Sequence, residues 1–367
     1  MIEVNSLIDT LKKNKVEFFS GVPDTITKEL SKFLEHKNKS THIMAANEGS
    51  AVSIATGYHL ATGKMPCVYM QNSGLSNAIN PLISIAHKKV YSIPIFLIIG
   101  WRGSPNSNDE PQHNVKGKIT KEILDLMNIK HVVINNEKDL RKLNMLIKYG
   151  KKKNEPIACL VKKNTLINHK KNIKKIISNN NELNKVYFLE KLLKLAKNYK
   201  IISSTGYNSR EIMKIKKQLS LDNSDFYLVG GMGHTASTSL GYSLFTKSKN
   251  LCIDGDGSMI MHLGSFVSLN NYANKNFKYV MFNNNSHNSV GGQKTYVDKI
   301  NIKSLSNSFG FKKYILITKK KEIDNKLKTF FKEKGPIFLE VKVSNKTSKD
   351  LPRPDDLIKI KKNFMKK

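Results

Sequence analysis

Gly255-Asp256-Gly257-Ser258, followed after twenty-four further residues by Asn283-Asn284, is the stretch on which the fold of this chain turns. Leu251-Cys252-Ile253 before it is an apolar run of the kind that forms a buried parallel strand. Residues 258–271 have helical spacing, and a second apolar run, Tyr279-Val280-Met281-Phe282, ends at the paired asparagines. Asp256 and Asn284 thus each leave the carboxyl end of a strand. With the two strands as neighbours, both side chains reach the crevice where open α/β sheets bind ligands. A carboxylate, an amide oxygen and nearby backbone carbonyls are hard oxygen ligands, a set that suits Mg²⁺ held against a diphosphate. The helix opening at Ser258 offers backbone N–H groups to the same phosphates. Gly-Asp-Gly alone is more often a plain turn; the asparagines behind a second strand carry the reading.

Outward from this stretch, strand and helix patterns alternate along the chain. In the first half, residues 16–19, 42–45, 67–70, 93–99, 131–134 and 156–161 read as strands. Helical spacing at 7–11, 25–34, 47–60, 119–128 and 137–149 separates them, and a long polar loop spans 102–118. The second half reads as strands at 201–203, 226–229, 251–253, 279–282 and 337–343, with helices at 189–196, 235–245, 258–271 and 320–331. Such alternation predicts α/β architecture, with two doubly wound parallel-sheet domains and no middle domain. The expected limits are 1–165 and 185–367, joined by a Lys- and Asn-rich linker at 166–184. After Leu351-Pro352-Arg353-Pro354 comes a basic helix pattern that either packs on the sheet or a partner, or frays.

The chain has 367 residues, 39% of them hydrophobic, which is enough for two cores. Its formal charge is +33, a balance that raises nucleic-acid binding as a hypothesis. The lysines are spread along the whole chain among many asparagines, and arginines are few, so the excess reads as solvated surface. The expectation is no nucleic-acid partner and an attraction for anionic substrates. Cys67, Cys159 and Cys252 each lie in an apolar run without metal or redox spacing, as reduced thiols of a cytoplasmic protein do. No signal peptide is evident, and the longest apolar run, 93–101, is too short to span a bilayer.

Other constellations admit two readings each. Glu48, in Asn47-Glu48-Gly49, opens a helix after a strand, where an acid complements the helix dipole or serves chemistry. Gly230-Gly231-Met232-Gly233-His234 lies between a strand and a helix. Gly231, Gly233 and Ala236, with Asp254 further on, also match a dinucleotide-binding pattern, the rival reading of a nicotinamide dehydrogenase. That pattern leaves Asn283-Asn284 unexplained. Ser204-Thr205-Gly206, with Ser209 and Arg210, is either an N-cap or a phosphate loop. Asp24, Gln71-Asn72-Ser73-Gly74 and His113 stand in first-half loops, and His113 falls in the long one, the best candidate for a lid. A titratable His there suits proton delivery near neutral pH.

Together these segments resemble the short thiamine-diphosphate-dependent 2-oxo acid decarboxylases, above all those acting on 3-phosphonopyruvate. The resemblance covers nearly the whole chain. It is carried by Gly21-Val22-Pro23-Asp24, Ala45-Ala46-Asn47-Glu48-Gly49, Trp101-Arg102-Gly103, Pro111-Gln112-His113, Gly231-Met232-Gly233-His234 and Ser289-Val290-Gly291-Gly292-Gln293, beside the metal motif. It implies a pyrimidine-binding domain followed by a diphosphate-binding domain. Asp256, Asn284 and the carbonyl of Ser286 would ligate Mg²⁺. Ser73, Thr205, Gly231, Met232, His234, Gly255, Gly257 and Ser258 would bind the cofactor, with Met232 as the wedge that bends it. Glu48 would activate the aminopyrimidine, and Asp24 and His113 would handle protons. Arg102, Lys294 and Arg353 are the candidate phosphonate ligands. The implied reaction releases CO₂ and phosphonoacetaldehyde, in a homodimer or larger assembly whose active site is shared between chains. Sulfopyruvate decarboxylation is the near alternative. Asn285, Ser76, Lys294 and Pro352 depart from the family's usual residues.

Overall fold

The computed structural model describes residues 1–366 except 36, 39, 169–182, 347 and 349. Most of the expected linker therefore lies outside the described residues. The described chain forms two compact units: the residues before 169 together with Val290–Gln293, and the remainder from 183 onward.

The first unit holds β1 (Ile2–Glu3), β2 (Phe19–Gly21), β3 (His42–Met44), β4 (Cys67–Gln71), β5 (Phe96–Gly100), β6 (Lys130–Ile134), β7 (Ile157–Val161) and β8 (Leu166–Ile167). Its main sheet runs β3-β2-β4-β5-β7-β6, parallel throughout. The second unit holds β9 (Tyr199–Ser203), β10 (Phe226–Tyr227), β11 (Lys249–Gly255), β12 (Phe277–Asn283), β13 (Lys313–Ile317) and β14 (Ile337–Lys342), ordered β10-β9-β11-β12-β14-β13 and again parallel. The two sheets follow the same path through their six strands. β4, β5, β7, β11 and β12 are buried nearly end to end, which is why they read as continuous apolar runs rather than alternating ones. Helices pack on both faces of each sheet, around separate apolar clusters on either side. In both units the strand order reverses beside the first strand, between β2 and β4 and between β9 and β11. That is where doubly wound sheets open a crevice.

Several expected elements are corrected. The long loop is shorter than 102–118, because a helix runs Pro111–Leu126 and takes in His113. Pro111 suits the first helical turn, where its missing N–H leaves no bond unmade, and Glu110 before it is extended. The first strand of the main sheet is Phe19–Gly21 rather than 16–19. Val16 N–H still bonds Leu11 O at 2.9 Å to close the preceding helix, and the ladder begins with Phe19 N–H to Thr41 O at 2.8 Å. The helix of 258–271 is broken into Asp256–Met261 and Phe266–Tyr272 at His262, whose φ is −130°. The helix Ile302–Ser308 and the strands β1, β8 and β13 carry no pattern that the sequence reading used. β1 and β8 pair with only two residues each, and β13 is an edge strand between lysines.

The C-terminal segment packs rather than frays. Asp356 caps the helix Leu357–Met365 by accepting the Lys359 N–H at 2.9 Å. Phe364, buried, sits 5.6 Å from the Phe226 ring and 4.8 Å from Tyr242. A nine-residue helix has little stability of its own, so this contact carries its docking. Phe364→Ala is expected to cost about 3 kcal/mol of that docking. Hydrogen exchange should then lose protection at 357–365 and keep it in β11 and β12; retained protection at the tail would contradict the packing.

Candidate active site

In the second unit the carboxyl ends of four neighbouring strands and β10 line one cleft. Ser204 and Thr205 follow β9, Met232 follows β10, and Gly255 to Ser258 close β11. Asn284, Ser286 and His287 follow β12, and Val343 and Ser344 follow β14. Gly255 pairs with Phe282 across β11 and β12, so Asp256 and Asn284 emerge side by side. Asp256 is 3% exposed. Its Oδ1 accepts the Gly257 N–H at 2.8 Å and its Oδ2 the Thr295 hydroxyl at 2.9 Å. Burial pushes its carboxyl up to about 7, against those two donors. Asn284 Oδ1 accepts the Ser286 N–H at 3.2 Å, and Asn285 between them takes φ 52°, a left-handed turn that Asn tolerates well. The loop returns through Thr295 N–H to Asn285 O at 3.4 Å.

The donor set is one carboxylate, one amide and the Ser286 backbone. Among the described residues no group of three His, Cys, Asp or Glu side chains is arranged to hold a metal. A thiophilic or imidazole-bound metal is thus disfavoured here, and a hard dication with phosphate oxygens and water fits. A divalent cation would also offset the cost of ionising a carboxylate as buried as Asp256.

The first unit gathers its polar residues in the same way. Asp24 after β2 is 1% exposed and accepts from Ile26 N–H at 2.5 Å and from Thr27 N–H and Oγ1. Burial raises its pKa, while those donors and Arg102 work in the opposite direction. Glu48, 5% exposed, opens the helix Glu48–Thr62, whose cap Asn47 accepts the Ser50 N–H at 2.8 Å. Its Oε2 accepts from Asn77 Nδ2 at 2.8 Å. Only glycine fits at position 74, where a Cβ would stand 2.0 Å from Glu48 Oε1. Arg102 after β5 is committed within its own loop. Its guanidinium is bidentate to Asp109 and donates to Thr25 Oγ1 at 3.1 Å. Asn72 joins the two ends, donating to Arg102 O and to Thr120 Oγ1, both at 2.9 Å. Gly103, at φ 64°, lies so close to the His113 carbonyl that a Cβ would stand 1.9 Å away. The loop therefore clamps the first turn of the helix Pro111–Leu126.

Several expected site residues stand elsewhere than the pattern implied. Gly231 and His234 are exposed and outside the described lining of the cleft, although Met232 is within it. His234 stacks on His262 at 4.4 Å. Ser258 Oγ accepts the Gly233 N–H at 3.1 Å, which ties that turn to the cleft. Ser73 Oγ accepts from Gln71, and the Ser73 carbonyl accepts from Lys116 Nζ at 3.1 Å. Ser209 is turned inward to Ser203 and Ser204, and Arg210 donates to the carbonyls of Leu351 and Pro352. Asp254, the acid of the dinucleotide pattern, is 1% exposed and held by Tyr279 Oη and the Gly255 N–H. Buried within β11, it is not presented to a ribose, so that rival loses its recognition residue. Lys116 and Thr295 were not singled out from sequence; Lys116 is one lysine among many, and only the fold sets it beside Ser73.

Residues 4–134 match the family described as "Thiamine pyrophosphate enzyme, N-terminal TPP binding domain", and residues 202–341 match "Thiamine pyrophosphate enzyme, C-terminal TPP binding domain". The chain belongs to the thiamine pyrophosphate enzymes. Each half of this thiamine pyrophosphate enzyme corresponds to one of the two sheets, and the C-terminal match contains the cleft of Asp256 and Asn284. A phosphonopyruvate decarboxylase from Streptomyces viridochromogenes is 28% identical over 96% of this chain and 91% of its own length. That of Streptomyces hygroscopicus is 29% identical over 85% of this chain and 80% of its own length. A sulfopyruvate decarboxylase from Methanosarcina acetivorans is 22% identical over 94% of this chain and 93% of its own length. The chain is a decarboxylase of this family, with thiamine diphosphate and Mg²⁺ as cofactors. No helix among the described residues is long and apolar enough to cross a membrane.

His113 carries a testable consequence of its place in the helix. Burial first, and then the Arg102 charge, push it down to about 4. It is therefore neutral at neutral pH. An unfolded His113 takes up its proton near 6.5 and the folded one only near 4, so acidification through that interval weakens the fold. An imidazole NMR titration of the full chain should give His113 a midpoint below about 5.5, less a unit or more than an unperturbed His; a midpoint above 6.5 would contradict the clamp.

Proposed function

We propose that this enzyme decarboxylates 3-phosphonopyruvate to phosphonoacetaldehyde and CO₂. The observation that carries the substrate is the pair of phosphonopyruvate decarboxylases matched across both units at 28% and 29% identity. The sulfopyruvate decarboxylase of comparable coverage stands at 22%. Asp256, Asn284 and the Ser286 carbonyl would hold Mg²⁺, and Thr205, Met232, Gly255, Gly257 and Ser258 would hold the cofactor, with Gly231 and His234 contributing from the turn that carries Met232 and Ser73 from a first-unit domain. Thiamine diphosphate supplies an electron sink for the carbon that loses CO₂. The chain's own residues supply the rest. The buried Glu48 carboxylate would exchange a proton with the aminopyrimidine. Asp24 and His113 would handle the proton that reaches the product carbon.

Arg102 is replaced as a phosphonate ligand in this reading, since the bidentate Asp109 carboxylate already neutralises its charge. It would instead hold the loop that positions His113. The proposed domain limits are 1–165 and 185–367. Because the carboxylates Glu48 and Asp256 stand on separate units, the proposed assembly is a homodimer or larger in which different protomers complete one site. Three buried, unpaired thiols support a reducing, cytoplasmic setting.

The test is CO₂ release from 3-phosphonopyruvate, sulfopyruvate and pyruvate in parallel, with and without thiamine diphosphate and Mg²⁺. Cofactor-dependent turnover of the phosphonate is expected, with Glu48→Gln slowing it by on the order of 10²–10⁴-fold. Turnover confined to sulfopyruvate or pyruvate would overturn the substrate and leave the cofactor site standing.

A further inference from the structure

Lys185 is the first residue of the helix Lys185–Leu195, and Asn184 caps that helix by accepting the Tyr187 N–H at 3.1 Å. Its Nζ lies 2.7 Å from Glu211 Oε2, and the two side chains are 10% and 1% exposed. Nζ also donates to Asn208 Oδ1 at 3.1 Å, and Asn208 Nδ2 donates to Ser204 Oγ at 3.0 Å. Lys185, Asn208 and Ser204 all line the second-unit cleft, together with Asp256. A buried ion pair is a costly way to join two helices, since apolar residues of similar size do so equally well or better. Its presence in the wall of an anion-binding cleft has a chemical explanation. An ammonium has three N–H donors; Lys185 gives one to Asn208 Oδ1 and stands in ion-pair contact with Glu211, so donor capacity remains for a ligand. A diphosphate also carries more negative charge than one divalent cation offsets.

We propose that Lys185, held on the buried Glu211 carboxylate, is a cationic ligand of the cofactor's diphosphate. Glu211 is then a positioning residue that keeps the ammonium at the cleft wall. This rests on the family's cofactor and is independent of the phosphonate substrate. It also makes the first residues after the linker part of the cofactor site, because Leu183 O accepts the N–H of Ser344, another lining residue, at 3.0 Å.

The experiment is calorimetric titration of the full chain with thiamine diphosphate at saturating Mg²⁺, comparing Glu211→Gln with the Lys185→Met/Glu211→Gln double variant. Neither variant leaves a buried carboxylate unpaired, so the comparison isolates the ammonium. The double variant is expected to bind at least about tenfold more weakly than Glu211→Gln, which keeps the ammonium but loosens its placement. Equal affinity of the two would reduce the ion pair to a brace between helices and overturn the proposal. Should Glu211→Gln fail to fold, the double variant is compared with the unsubstituted enzyme, where an affinity loss of about tenfold or more is expected and equal affinity would overturn the proposal. The measurement reads binding alone, so a wrong substrate would leave its outcome unchanged.

Discussion

A carboxylate buried at the end of a central strand is the constraint around which the second unit is arranged. Asp256 cannot ionise cheaply where it stands, although Gly257 N–H, the Thr295 hydroxyl and the Asn285 backbone all favour its charged form. Holding it there requires a strand end, a helix start and a returning loop to meet at one point. β11 supplies the strand end, the helix Asp256–Met261 begins on the acid itself, and the turn at Asn285 brings Thr295 back. β12 is braced from behind. Asn283 Nδ2 donates to the buried Glu340 at 2.6 Å, and Val343 N–H to Asn283 O at 3.0 Å. The neighbouring Asn284 lines the cleft.

The first unit meets a different requirement with the same strand order. Its polar residues are locked to one another by hydrogen bonds. Arg102 and Asp109 close the loop after β5, Asn72 stitches that loop to the one after β4, and Gly103 presses on the turn that carries His113. Asp24 and Glu48 are buried by this packing, with their oxygens already directed by hydrogen bonds. Such preorganisation suits groups that must present a proton or a lone pair to one atom without reorganising.

The neighbouring strand ends that carry Asp256 and Asn284 were readable from sequence, because β11 and β12 announce themselves as continuous apolar runs. Helix Glu48–Thr62 was readable from its cap, Asn47, and its small residues. The start of the helix at Pro111 was not, since Pro-Gln-His-Asn after several loop formers reads as more loop until Glu110 is seen extended before it. β1 and β8 are too short to show a period, and the break at His262 lies inside an unbroken helical pattern. The dinucleotide pattern failed on a single side chain, because spacing says nothing about whether Asp254 faces out of its strand or into the sheet. Lys185 was invisible for a compositional reason: nothing in a chain with so many lysines marks one that pairs with a buried carboxylate at the cleft.

The central claim is that Asp256 and Asn284 hold a divalent cation against the cofactor's diphosphate. The most direct measurement is equilibrium binding of thiamine diphosphate across a Mg²⁺ titration, in the unsubstituted enzyme and in Asp256→Ala, with circular dichroism to verify that both are folded. The account predicts that cofactor and cation bind together, each tightening the other, and that Asp256→Ala abolishes this mutual dependence while the fold persists. Cofactor binding that ignores Mg²⁺, or a folded Asp256→Ala variant that binds both as the unsubstituted enzyme does, would contradict it.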